Sequence, residues 1–334
     1  MKLKTFLIKI LIVLTLMVIF ILNLPFKRNN KYTLISINRG ENAKEIAIKL
    51  KDRGIILNEV LFYIYLKLSG SEKKLKSGTY IFKRPLTMIQ VKNLLEKGGN
   101  FFVKITIKEG ENFFEIAQKV SSIKYLRAKD FKKYYSHTEF LKGITNEAKN
   151  LEGYLFPDTY KFSTEVTSIT LIKTMVENFK KRVLPVIRIR TNKKLSLHQI
   201  VTLASLIEKE TPLLSEKRII SSIFYNRLEK GMRLQCDPTV IYAKILAGLK
   251  NEKKIFKRDL KINSPYNTYF IKGLPPGPIC NPGLGSIIAA CNPAKTNYLY
   301  FVSKNNGHHF FSSNLREHIK AVNKYQRKRK KQDY

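Results

Sequence analysis

Two stretches of this chain repeat one another. Ile35-Ser36-Ile37-Asn38-Arg39-Gly40-Glu41-Asn42-Ala43-Lys44-Glu45-Ile46-Ala47 returns as Ile105-Thr106-Ile107-Lys108-Glu109-Gly110-Glu111-Asn112-Phe113-Phe114-Glu115-Ile116-Ala117. The shared pattern is I-[ST]-I-x-x-G-E-N-x-x-E-I-A. An internal repeat constrains a fold strongly, because both copies must bury the same face. Alternating isoleucines predict a short strand, the glycine a turn, and the run after Glu-Asn an amphipathic helix. The chain is therefore expected to hold two strand–turn–helix units. Ser77–Tyr80 and Lys97–Asn100 read as turns bounding the first of them.

Ahead of the repeat lies an apolar run. Lys2 and Lys4 precede Phe6–Ile8, Lys9 interrupts, Ile10–Leu22 is almost wholly apolar, and Lys27 and Arg28 close the segment. Phe6 to Phe26, with Lys9 snorkelling, can just span about 30 Å of hydrocarbon. A cleaved signal peptide needs small residues at its cleavage site, and no alanine occurs before Ala43, so an uncleaved anchor is expected. Basic residues flank both ends, so charge alone does not orient it.

The 334 residues suffice for about two domains. Lys+Arg number 62 against 25 Asp+Glu, a net charge of +37. Such charge suits nucleic acid, an anionic surface or polymer, or a chain whose lysines are spread over solvated faces. Here the basic residues occur in every segment, with one local cluster at Arg327–Lys331, and dispersion favours the last option. The three cysteines, Cys236, Cys280 and Cys291, have no zinc-like spacing and no complete disulfide framework. There is no Gly-rich phosphate loop.

The chemistry centres on Leu195–Pro212, LSLHQIVTLASLIEKETP. Ser196 with Gln199 forms a capping box, and Thr211-Pro212 is a stop. Leu197, Ile200, Val201, Leu203, Ala204 and Ile207 recur at helical spacing as one apolar stripe. Glu208 falls on that stripe, Lys209 points away, and Glu210 lies towards the flank. A carboxyl on a buried face loses hydration, which disfavours its charged form, and a general acid needs that proton. The alternative is a helix-end glutamate paired with one of the many Lys or Arg residues. Glu210 is the rival acid.

Further polar groups lie in loops and helix ends. In Leu151–Tyr160, Glu152 and Asp158 could line a cleft, or Pro157-Asp158-Thr159 could be a turn device. Residues 123–150 read as helical and basic, and 167–190 as a helix with a connector through Pro185. Glu216–Lys230 reads as an amphipathic helix stopped by Gly231, with Asn226 and Arg227 near a cleft or capping. Asp237-Pro238 reads as an N-cap and first helical position. Ser264–Ile279 is too rich in Pro and Gly for regular structure and is expected to be a long, stiff surface loop. Its Tyr266, Asn267 and Tyr269 offer stacking and hydrogen bonding suited to a sugar. Gly307–Asn314 reads as turn and strand, and contributes His309.

Together LEGYLFPDTY, ASLIEKET, FYNRLEKGMRLQCDPTVIYA, SPYNTYFIKGLPPGPICNPG and the ending GHHFFSSN…EH, which closes on Glu317-His318 at the start of the last helix, resemble the endolytic murein transglycosylases, the YceG-like proteins. The strand–turn–helix units likewise resemble the glycan-binding LysM module. The resemblance implies an α+β protein: a single transmembrane helix (1–30), a LysM-like subdomain (31–104), a mixed α+β catalytic domain (105–325) that opens with the second LysM-like unit, and a basic tail (326–334). It implies a bitopic inner-membrane protein with its bulk in the periplasm. The implied reaction is non-hydrolytic cleavage of the MurNAc–GlcNAc bond of nascent peptidoglycan, leaving 1,6-anhydro-MurNAc ends and terminating strand growth, without cofactor or metal. Glycan strands and peptidoglycan synthases are the implied partners, not nucleic acid. The family's essential glutamate falls on Glu208, and Glu152, Asp158, Glu210, Asn226, Arg227, Gln235, Asp237, Tyr266, Asn267, Tyr269 and His309 are the implied or candidate sugar-binding groups. Cys236 stands where a threonine-like residue is expected, and Tyr154 where Trp is common. An inactive, anchored peptidoglycan-binding scaffold is the alternative.

Overall fold

The computed structural model describes residues 2–26, 32–83, 85–99, 101–123, 126–162, 166–190, 194–249 and 255–327. Lys27, Arg28, Asn100 and the basic residues from Lys328 onward lie outside them. Helix α1 (Lys2–Asn23) opens the chain. Its Phe6–Asn23 stretch, with mean hydropathy 2.7, is long and apolar enough to cross a membrane, and none of it is buried within the protein. Thr15 and Asn23 return their side-chain hydrogen bonds to carbonyls four residues back.

The described residues form two compact units: the first runs to Lys104 and also takes in residues 126–127, 161–162 and 166, and the second takes the rest of the chain from Ile105. The first contains β1 (Thr33–Ile37), α2 (Ala43–Asp52), α3 (Glu59–Leu68), β2 (Gly78–Phe82) and α4 (Met88–Lys97). β1 and β2 pair antiparallel with Ile35 opposite Tyr80. Ile35, Ile37, Ile46, Leu50, Tyr80 and Leu95 lie in one core, as alternation in the strand and helical spacing after it require. The stretches taken as bounding turns instead meet. A Cβ on Gly99 would lie 2.9 Å from the Thr79 backbone, so only glycine lets the two chains approach.

The second unit begins at the end of β3 (Val103–Thr106) and continues through α5 (Phe113–Ser122), the first half of β4 (Thr159–Phe162), α6 (Ser168–Arg188), α7 (Leu197–Glu210), α8 (Leu214–Glu229), α9 (Asp237–Leu246), α10 (Leu284–Cys291), β5 (Tyr300–Ser303), β6 (His309–Ser312) and α11 (Leu315–Val322). β3 pairs with β4, and β5 with β6 antiparallel, Val302 opposite Phe310. The sheets are small and the cores helical, an α+β architecture. Residues 131–136 and 138–141 are tight 3₁₀ turns where an α-helix was expected. Pro185 lies inside α6, because Val183, Leu184 and Ile187 around it are buried.

The repeat recurs in atomic detail. Asn42 and Asn112 each cap a helix in a capping box with Glu45 and Glu115. Lys49 donates to Ser36 O at 3.0 Å and to Glu41 Oε1 at 2.7 Å; Lys119 donates to Thr106 O at 2.8 Å and to Glu111 Oε2 at 2.7 Å. Each lysine thus ties its helix back to strand and turn.

Glu152 does not line a cleft. It is fully buried, and both its oxygens accept the Phe113 N–H at the start of α5, with Tyr242 donating to Oε2 at 2.9 Å. Burial pushes its carboxyl from the ordinary 4.5 up to about 8, against the opposing pull of those donors. The folded chain then holds a proton that the unfolded chain releases between those values, so stability falls as pH rises through that window. A Glu152→Gln variant should lose less stability than the parent between pH 5 and 9, measured by urea denaturation at each pH.

Candidate active site

The helix that carries the EKE motif starts and stops as its sequence predicts. Gln199 N–H donates to Ser196 Oγ at 3.2 Å, and Ser196 N–H to Gln199 Oε1 at 2.9 Å. Thr211, ahead of Pro212, is extended, with φ −148° and ψ 136°. The burial differs from a single stripe. Ile200, Val201, Leu203, Ala204, Leu206 and Ile207 are all buried, and so are Thr202 and Ser205. α7 packs against α8, α9 and α10 and is enclosed on nearly every side. Beyond the exposed Gln199 of the first turn, polar groups emerge at its last turn.

Glu208 and Glu210 leave that turn in different directions. Glu208 meets a polar cradle, where an apolar wall was expected. Lys217 of α8 donates to both its oxygens at 3.1 Å, the Gly283 N–H to Oε2 at 3.0 Å, and Ser286 Oγ to Oε2 at 2.7 Å. The two side chains are only 6 % and 3 % exposed. This is a buried ion pair joining α7, α8 and the start of α10, the arrangement of the alternative reading.

Glu210 lines a cavity of about 450 Å³. Burial pushes its carboxyl from 4.5 up to about 7; the nearby Asp237 charge adds to the rise, while the Cys236 thiol and the Arg227 guanidinium oppose it. Five other candidates share the cavity: Arg227, Gln235, Asp237, Tyr269 and His309. Arg227 is held by its donations to Leu299 O at 2.7 Å and Leu234 O at 2.9 Å, and lies over the Tyr300 ring with its guanidinium carbon 5.2 Å from the centroid. Gln235 has φ +50°, a left-handed conformation uncommon outside glycine, fixed by Gln235 N–H donating to Thr268 O and Cys236 N–H to Thr268 Oγ1. Asp237 does not cap α9, which begins at Asp237 itself; its carboxylate accepts the Tyr269 hydroxyl. His309 is bound to Glu216 of α8.

The remaining candidates hold the scaffold. Asp158 accepts from Asn178 at 3.0 Å and from the Thr159 N–H, a turn device at the start of β4. Asn226 donates to Thr296 O and Tyr298 O, both at 2.9 Å. Asn267 is fully buried and donates to Leu260 O and Ile262 O. Tyr266 is buried and packs on Tyr242 at 5.0 Å between ring centres. The loop that carries them is irregular, as expected, but much of it is buried. Ile279 N–H donates to Ser205 Oγ of α7 at 3.0 Å, and His198 Nε2 lies 2.9 Å from Pro276 O. A Cβ on Gly153, whose φ is +88°, would lie 2.5 Å from Pro278, so no other residue fits beside that loop. His318 of α11 and Tyr300 of β5 also line the cavity and were not among the candidate sugar-binding groups. Their rings stack there with 5.1 Å between centres, a contact that only the fold reveals.

The YceG-like family model matches residues 35–324. A Bacillus subtilis (strain 168) protein named endolytic murein transglycosylase is 37% identical over 318 residues, covering 90% of this chain and 87% of that protein. A Streptococcus pneumoniae (D39) protein of the same name is 30% identical over 90% of this chain, which spans 59% of its length. A crystal structure of a putative yceG-like protein from Listeria monocytogenes superposes with a TM-score of 0.58 at 33% identity, covering 87% of this chain and 99% of that one. By matched length and by identity, this chain belongs to the YceG-like family.

Proposed function

We propose that this protein cleaves the MurNAc–GlcNAc bond of murein glycan strands by transglycosylation, and that Glu210 is its proton donor. The observation that carries this is a carboxyl raised to about 7 in a cavity of about 450 Å³, in a relative of proteins named endolytic murein transglycosylases. A carboxyl titrating near neutrality can hold the proton and also release it. Glu208, which the resemblance favoured for this role, is engaged by three donors and suits a structural ion pair better.

The chemistry explains why one acid suffices. Glycoside hydrolases use two carboxyl groups, one to protonate the leaving oxygen and one to activate water or attack the sugar. In a transglycosylase the C6 hydroxyl of the muramic acid replaces water. Glu210 protonates the glycosidic oxygen, the C1–O bond breaks, and the C6 oxygen closes onto C1 to give the 1,6-anhydro end. Arg227, Gln235, Asp237 and Tyr269 hold the sugars, and the Asp237 carboxylate stabilises positive charge developing at the ring. We read α1 as a single-pass anchor in the cytoplasmic membrane, with the catalytic unit on the periplasmic side, where nascent strands and peptidoglycan synthases meet. The two strand–turn–helix units are LysM-like, and the first is proposed to contact glycan.

Incubating the purified chain with peptidoglycan and identifying the chain ends tests the reaction: anhydro-muramic ends are expected, and reducing muramic ends would mean hydrolysis. Glu210→Gln keeps the shape without the proton and should lose about 10²–10⁴-fold in rate. Glu208→Gln leaves Lys217 buried without its counter-charge and should cost about 3–5 kcal/mol of stability, yet per folded molecule it should cut strands far better than Glu210→Gln. The reverse ranking would return the acid to Glu208. The rate should also decline about tenfold per pH unit once pH rises past the Glu210 value of about 7, read from initial rates of anhydro-end formation.

A further inference from the structure

Glu210 accounts for the proton gained by the leaving oxygen. The C6 hydroxyl must also lose one, and the cavity wall contains a group suited to take it. His309 Nδ1 lies 2.7 Å from Glu216 Oε2, and the His309 N–H donates to Glu216 Oε1 at 3.0 Å. The Glu216 side chain is 7 % exposed. Burial alone would raise its carboxyl, but the hydrogen bonds from His309 and His308 hold it below the ordinary range. A carboxylate only accepts, so Nδ1 of His309 carries hydrogen. In the neutral ring Nε2 is then the bare, basic nitrogen. Phe301, edge-on at 5.5 Å between ring centres, and Phe311 at 6.3 Å fix the ring plane. The ring lines the same cavity as Glu210.

We propose that His309 Nε2 is the base that accepts the C6-hydroxyl proton, with Glu216 as the positioning residue that holds its tautomer. The proposal rests on the Glu210 reading. In the step, the Glu210 proton passes to the glycosidic oxygen, and the C1–O bond breaks with its electron pair on that oxygen. The C6 oxygen bonds to C1, and its hydrogen passes to Nε2. Glu210 ends as carboxylate and His309 as imidazolium, and one proton relayed through solvent restores both. No co-reactant is needed. A merely structural Glu216–His309 contact would instead pin β6 to α8.

The test uses the full chain in detergent on glycan strands, with His309→Gln and His309→Ala. Gln can still donate to Glu216 but cannot act as a base. His309→Gln should lose about 10²–10⁴-fold in kcat with KM little changed, at an unaltered melting temperature. His309→Ala should lose as much and recover activity when imidazole is added. Glu216→Gln should lower kcat by a smaller factor. His309→Gln cutting at close to the parental rate overturns the proposal, as does a His309→Ala loss that imidazole leaves unrelieved. If the parent makes no anhydro ends, or Glu210→Gln cuts normally, the catalytic reading itself has failed; if both behave as expected, only the base has been misassigned.

Discussion

The second unit depends on the enclosure of α7. Its apolar residues face α8, α9 and α10 all round, so the helix cannot shed polar groups sideways. Apart from the exposed Gln199 of its first turn, the polar side chains that leave the packing lie at its last turn, where Glu208 and Glu210 stand. Two carboxyls leaving a buried helix end must each find compensation, because an unpaired buried charge costs several kcal/mol. Glu208 finds it in Lys217, the Gly283 N–H and Ser286, and so clamps three helices together. Glu210 finds only partial compensation, from a thiol and a guanidinium, and its proton affinity rises. A satisfied ion pair and a carboxyl of raised proton affinity thus stand two positions apart on one helix.

That division depends on what surrounds each carboxyl. Lys217 and Arg227 lie on the same helix, α8, yet Lys217 meets Glu208 directly while the Arg227 side chain is spent on carbonyls of the Leu234 and Leu299 segments. The positive charge near Glu210 is therefore held at a distance by backbone acceptors. It tempers the acid without neutralising it. The same helix supplies Glu216, so α8 carries partners for α7, β6 and the cavity at once. The duplicated units use the converse device. Glu41–Lys49 and Glu111–Lys119 are satisfied ion pairs that close a strand, a turn and a helix into one piece.

Several elements could be read from local chemistry. The capping boxes at Asn42, Asn112 and Ser196, the stop at Thr211-Pro212, the C′ glycine at Gly231 and the strand alternation of Ile35 and Ile37 each rest on interactions within a few residues. So does the apolar run of α1, whose length and composition suffice to mark it as able to enter a membrane. The grouping of Arg227, Gln235, Asp237, Tyr269 and His309 around one glutamate was also within reach, because the family's motifs carry them in order.

The surroundings of the two glutamates were not. A helical wheel assigns one apolar face, and that is enough to orient a half-exposed surface helix; a helix buried on every side has no such face, and its polar ends are directed by whichever neighbour brings a counter-charge. Lys217, Gly283 and Ser286 lie 9 to 78 residues from Glu208 in sequence, and Glu152 reaches the start of α5 across 39. Tyr266 and Asn267 were placed at a surface by composition, although the folded chain draws that loop against α7. What the amino-acid order determined by itself was the set of local elements, the repeat and the anchor-like run, since these depend on neighbours along the chain. What only the tertiary structure decided was which carboxyl is neutralised and which is left to hold a proton, since desolvation and charge pairing depend on neighbours in space.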